Sequence, residues 1–217
     1  EEVIPFIDGD SATVYEHIKR VVTYLETKVG KRGFPLIGRA DWNDALDTCG
    51  MKGRGESVWT AMALCRAMKQ LEELADFIGD SETSKAMSHK YDVLAEKIND
   101  SGWDGKWYRA LYTDDDRPVG TEGDKEGKIF LNPQTWALLS GVSNPERTQL
   151  IVSEIDKYLH CEAGYSLLYP AFTKYDPTIG RISAFSPGTK ENAAVFSHAV
   201  AFLIVALCQK GMGDKAF

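Results

Sequence analysis

The chain has 217 residues, 43% of them apolar and 26% charged, with a formal charge of −7. That length and make-up suit a soluble globular chain that buries a sizeable core. Its acidity, with no dense Lys/Arg cluster, argues against a nucleic-acid duplex as partner. No apolar run is long enough to cross a bilayer. The opening residues Glu1–Pro5 carry neither the basic nor the apolar region of a signal peptide. The cysteines at 49, 65, 161 and 208 show no CxxC spacing. This points away from zinc and from a disulfide framework, and toward reduced thiols in the cytoplasm.

Along the chain the pattern is helical. Thr13-Val14-Tyr15-Glu16 resembles a capping box. Behind it Ile18, Val21, Val22, Leu25 and Val29 recur at helical spacing until Gly30. A second helix is expected over Ser57–Ile78, ended by Gly79, and a third over Glu82–Ile98. The stretch 103–120 is different. Trp103, Trp107, Tyr108, Leu111 and Tyr112 are β-formers, and Asp114-Asp115-Asp116 reads as a solvated turn, so a short β-hairpin excursion is expected. Helices resume over Pro133–Leu139 and Pro145–Leu159, each with Pro in its first turn. A polar, aromatic loop spans 161–189, and the last helix, Glu191–Gln209, is apolar almost all round. Short and long connections alternate, which suits stacked αα-hairpins in one all-α domain over 1–217. No internal repeat or linker divides it.

Two clusters carry chemistry. The first is Gly38-Arg39-Ala40-Asp41-Trp42-Asn43-Asp44-Ala45-Leu46-Asp47, a loop between helices. An indole beside a carboxyl can desolvate it and raise its pKa, as a general acid needs, and it offers an apolar face to a pyranose ring. The same residues also suit an Asx-rich loop that caps the next helix. Arg54, Glu56 and Ser57 next door read as support, with Ser57 at the N-cap. The second cluster is Ser186-Pro187-Gly188-Thr189-Lys190-Glu191-Asn192, with His198 beyond it. Lys190, helix N-terminal amides and His198 are positioned to converge on an anion, and Glu191 and Asn192 to bond sugar hydroxyls. A His on an apolar helix is also an ordinary core residue. Asn132 and Trp136 open a helix whose start is a candidate cleft lining. Among the motifs absent are a P-loop, a dinucleotide fingerprint, HExxH and GxSxG.

These clusters resemble the inverting glycoside phosphorylases of glycoside hydrolase family 94, the cellobiose, cellodextrin, chitobiose and cellobionic acid phosphorylases. The matching blocks are Asp41-Trp42-Asn43-Asp44 with Gly55-Glu56-Ser57-Val58-Trp59, then Phe130–Trp136 with Ser140-Gly141, then Pro187–Asn192 with His198. They follow one another in the family's order over nearly the whole chain. The resemblance implies Asp44 as general acid, Trp42 and Asp41 at the sugar, Lys190 and Glu191 around the acceptor, and His198 on phosphate. It implies an (α/α)6 barrel, of which the six or so helices read above make about half. No metal and no organic cofactor are expected, only a disaccharide and inorganic phosphate.

The chain departs from the family in two ways. The resemblance places a further phosphate-binding Arg upstream and a Thr downstream of these residues, so a partial chain with little activity alone is expected, either self-associating or completed by the rest of the barrel. Phe185 stands where cellobiose-specific members carry Tyr, so cellobiose is one option among several. Two other readings remain open: an inverting hydrolase using Asp47 or Glu191 as base, and a non-catalytic carbohydrate-binding helical module.

Overall fold

The computed structural model describes residues 12–217. The opening stretch Glu1–Pro5, judged above for a leader, lies outside them. About half of the described chain is helical: α1 (Val14–Thr27), α2 (Val58–Ile78), α3 (Ser81–Lys97), α4 (Leu131–Ser140), α5 (Pro145–Tyr158), α6 (Ser197–Gln209) and α7 (Gly213–Ala216). Among the described residues no helix is long and apolar enough to cross a membrane.

The helix ends follow local chemistry. Thr13 and Glu16 form the expected capping box on α1. The hydroxyl of Ser57 accepts from the Thr60 N–H at the start of α2, and Gly79 closes that helix in the left-handed region at φ 83. Asp80 caps α3, which ends in a single π-helical turn at Ile98–Gly102. Asn144 caps α5 ahead of Pro145.

Helices α2, α4 and α6 lie side by side, while α3 folds back on α2 and α5 on α4. Trp59 and Asn132, each near the start of its helix, line one cavity. Farther along, Arg66 donates to the Leu139 carbonyl. The inner helices α2 and α4 therefore run the same way. Their shared core holds Met62, Met68, Leu71, Ile98, Leu131, Leu138 and Ile151. A second, smaller core lies under the loops, built from Ile37, Leu46, Cys49, Leu111, Phe130, Leu168, Phe172, Ile179 and Ile182.

The domain is helical as expected, and among the described residues seven strands of two residues each staple its loops. The excursion predicted at 103–120 is present as β2 (Leu111–Tyr112) paired with β3 (Pro118–Val119). β1 (Glu56–Ser57), which leads straight into α2, adds antiparallel to β2 as a third strand. β4 (Ile129–Phe130) pairs with β7 (Leu168–Tyr169), and β5 (His160–Cys161) with β6 (Gly164–Tyr165).

Two expectations are corrected. The last helix starts at Ser197 rather than Glu191. Lys190 and Ala193 sit at φ 49 and φ 68, outside the right-handed helix. Asn192 is fully buried. It accepts from the Phe172 N–H and donates to the carbonyls of Phe172 and Phe185, bonds that a helix through this segment would break. The expected turn at Asp114-Asp115-Asp116 is present with Asp115 and Asp116 exposed, but Asp114 is buried. Asp114 accepts from the N–H groups of Lys52, Arg54 and Gly55. Asp115 pairs with Lys52 and Arg54, and Asp116 with Lys31 and Arg32.

Next to this latch, Glu56 is buried, accepts from the N–H groups of Arg32 and Phe34, and pairs with the Arg32 guanidinium at 3.0 Å. The guanidinium lies 3.5 Å over the Tyr112 ring. Removing one partner of a buried pair strands the other charge. Arg32→Ala is therefore expected to destabilise the chain by about 3 kcal/mol, read as a lower urea midpoint; an unchanged midpoint contradicts this role.

Candidate active site

The Asp41–Asp47 loop hangs from the start of α2. One Asp41 oxygen accepts from the Asn43 N–H at 2.8 Å, and the Asn43 side chain accepts from the Ala45 N–H at 3.3 Å. The Ser57 hydroxyl donates to the other Asp41 oxygen at 3.0 Å while accepting from Thr60 at 3.0 Å. One hydroxyl thus caps α2 and anchors the loop. Burial pushes the Asp41 carboxyl up to about 6, against the pull of the Asn43 N–H and the Ser57 hydroxyl. The desolvation anticipated from the neighbouring indole thus falls on Asp41. Ala45 and Leu46 sink into the second core, and Asp44 is left exposed. Among the described residues nothing bonds its carboxylate.

From below, the 179–185 segment is stitched to this loop. Cys49 donates to the Ile179 carbonyl at 3.3 Å, and the Ile182 N–H to the Ala45 carbonyl at 2.9 Å. Arg181 pairs with Asp47 through Nε at 2.6 Å and donates from Nη2 to the Asp44 carbonyl at 3.0 Å. Gly180 has φ 108, and a Cβ there would lie 2.2 Å from an Asp47 oxygen, so only glycine lets the two segments approach this closely. Asp114 clamps the loop's trailing end. Burial raises its carboxyl, but the three backbone N–H groups bring it below the usual carboxylate range.

The second cluster meets the first through Trp42. Its ring lies 5.2 Å from His198, 5.8 Å from Phe196, 5.8 Å from Trp59 and 6.2 Å from Phe202, all edge-on. Trp59 in turn meets Trp136 at 5.8 Å, and Trp136 meets Phe202 at 5.3 Å. His198, second in α6, is exposed. No side chain caps α6, as none caps α4 or α7, so its first amides lack the partner that Thr13, Ser57, Asp80 and Asn144 give α1, α2, α3 and α5. Lys190 is exposed, with its ammonium 4.7 Å over the Phe185 ring, and Glu191 is half-buried beside it. Asn192, read as a sugar contact, is instead spent on the backbone bonds described above.

Trp42 and His198 are therefore neighbours, and Asp44 follows Trp42 by two residues in the loop. Lys190 and Glu191 lie beyond the 179–185 segment, with Lys190 over the Phe185 ring. Asp41 faces inward, lining a small cavity with Asn43, Trp59 and Asn132. Sequence reasoning missed Arg181 and Asp114 as organisers; the adjacent Gly180 was the one local hint. No group of His, Cys, Asp and Glu among the described residues is arranged to hold a metal. Burial pushes the Cys49 and Cys65 thiols up to about 12, which removes them as nucleophiles.

Residues 1–217 match the family described as the glycosyl hydrolase 94 superfamily, catalytic domain. The chain belongs to this family. Glycosyl hydrolase 94 relatives similar to it include a solabiose phosphorylase of Paenibacillus borealis, 38% identical over 100% of this chain and 28% of the relative. A 3-O-beta-D-glucopyranosyl-beta-D-glucuronide phosphorylase of the same organism is 41% identical over 96% of this chain and 27% of its own. A cellobionic acid phosphorylase of Neurospora crassa is 34% identical over 100% and 28%. The chain thus spans little more than a quarter of the length of these relatives. A GH78 family rhamnosidase of Bacillus sp. GL1 shares the fold, with TM-score 0.62 and 19% identity over 92% of this chain and 17% of that one.

The raised Asp41 carboxyl gives this glycosyl hydrolase 94 chain a pH signature. With its folded pKa above the ordinary 3.8, Asp41 contributes stability that is complete below that value and lost as pH rises through about 6. Urea unfolding across that window should show the native chain losing stability relative to Asp41→Asn as pH increases. Parallel pH curves for the two proteins contradict the assignment.

Proposed function

We propose that these residues form part of the catalytic barrel of an inverting disaccharide phosphorylase. Asp44 protonates the glycosidic oxygen, and phosphate, held by His198 and the first-turn amides of α6, attacks the anomeric carbon from the opposite face. The products are an α-sugar 1-phosphate and a free sugar. In the reverse direction ionised Asp44 takes the proton of the acceptor hydroxyl. The observation that carries this reading is the 5.2 Å contact between the Trp42 ring and His198, which puts the acid loop and the uncapped start of α6 at one place. The relatives' names supply the phosphorolysis. Phosphate needs no general base, and no metal or organic cofactor enters this scheme.

The hydrolase alternative needs a second carboxylate to activate water, and Asp47 is engaged by Arg181. Phosphate-dependent product formation separates the two. The acceptor we infer is an acidic sugar. Two relatives are named for a glucuronide and for cellobionic acid, and the exposed Lys190 has no carboxylate partner among the described residues.

The remaining proposals concern context. The enzyme works in the cytoplasm. Apolar Val14, Ile18 and Val21 on α1 and Ile204 and Val205 on α6 are exposed. We assign these flanks to the rest of an (α/α)6 barrel or to a second copy. Assayed as the 217-residue polypeptide, the chain is expected to turn over slowly or not at all.

In an enzyme carrying these residues within the family's full length, Asp44→Asn is expected to lower the phosphorolysis rate about 10²–10⁴-fold while disaccharide binding survives. The readout is phosphate-dependent release of sugar 1-phosphate, alongside a binding titration. Undiminished turnover contradicts the acid role, and a protein that binds sugar but shows no phosphate-dependent chemistry is a binding module instead.

A further inference from the structure

The cavity beneath the acid loop is lined by Asp41, Asn43, Leu46, Trp59, Asn132 and Leu167, among others. Its volume is about 20 Å³, enough for a single water or hydroxyl group. Two of its polar residues are unsatisfied. The indole Nε1 of Trp59 and the side-chain oxygen of Asn132 have no hydrogen-bond partner, although the residues are only 9% and 7% exposed. Such orphans cost stability unless something fills the space.

Their chemistry narrows the occupant. An indole N–H only donates, and an amide oxygen only accepts. One group that serves both must accept and donate at once. An ammonium cannot accept and an ionised carboxylate cannot donate, whereas a hydroxyl does both. The Asp41 carboxyl, also in the lining, offers another acceptor. Position matters as well. The cavity lies between the starts of α2 and α4, directly under the loop that presents Trp42 and Asp44. Both orphans sit on helices of the core, so the notch is rigid and can discriminate by geometry.

We propose that this cavity is a specificity notch that takes one hydroxyl of the bound sugar, with Trp59 donating to it and Asn132 accepting from it. The proposal rests on the sugar-binding reading above and adds to it two residues that touch substrate away from the reacting bond. A notch of this size admits a hydroxyl but not an acetamido group. Water is the other source of the same chemistry and fills the space when no sugar is bound.

The test uses the ¹⁵N-labelled enzyme carrying these residues within the family's full length, whose indole N–H resonances are assigned by single Trp→Phe variants. D-glucose and its monodeoxy derivatives are titrated in. The Trp59 resonance should shift with D-glucose, and one monodeoxy sugar should leave it unmoved and bind about tenfold more weakly, the loss of one bond to a buried group. Asn132→Ala should weaken D-glucose by a similar factor and leave that monodeoxy sugar's affinity unchanged. The monodeoxy series on the unaltered chain decides the matter even if the variant folds poorly. Movement of the Trp42 indole without Trp59, or equal behaviour of every monodeoxy sugar, means the notch holds only water; the proposal then falls while sugar binding stands. If no indole responds to any sugar, the sugar-binding reading fails and takes the notch with it.

Discussion

The Trp42 indole is where separate stretches of chain meet. It touches α2 through Trp59 and α6 through His198 and Phe202, and it is two residues from Asp44. Edge-to-face aromatic contacts of this kind hold position as well as bury area. Here they register the Asp41–Asp47 loop against the start of a helix, and neither element could be placed by its own local structure. Two long excursions, one from each cluster, must fold onto each other before the contact exists. The second core, with Ile37, Leu46, Leu168, Phe172 and Ile179, is what brings them together.

Around that contact the acidic residues divide their work. Asp41 is turned inward and hydrogen-bonded to a helix cap, Asp47 is paired with Arg181, and Asp114 is filled by three backbone N–H groups. Each spends its carboxylate on holding the loop still. Asp44 is left exposed on this scaffold, and among the described residues nothing bonds its carboxylate. Rigid support beneath one unengaged group is what positioning for proton transfer requires. The desolvation that the Trp-Asp pattern suggested is present in the loop, but it acts on the anchoring carboxyl.

The parts that were legible in the sequence depend on neighbours along the chain. The Thr13–Glu16 box, Ser57 before α2, Gly79 after it and Asn144-Pro145 before α5 each satisfy backbone groups within a few residues, so spacing alone reveals them. The misplaced start of α6 has the opposite cause. Lys190-Glu191-Asn192 reads as a first turn, but the bonds that hold Asn192 reach Phe172, twenty residues away. The burial of Asp114 within its turn was not legible, because the N–H groups that hold it lie some sixty positions upstream. Arg181 is joined to Asp44 across 137 positions, and the adjacent Gly180 is the one local feature that marks it. The family resemblance was legible for a different reason: several motifs kept their order and spacing over the whole chain.

The measurement that bears most directly on the shared site is a structure of the chain with α-glucose 1-phosphate bound. The expected arrangement has the phosphate against His198 and the uncapped start of α6, with the pyranose beside Trp42 and its anomeric carbon open to Asp44. A sugar phosphate seated away from Trp42, or an Asp44 carboxylate on the far side of that indole from the anomeric carbon, would contradict it.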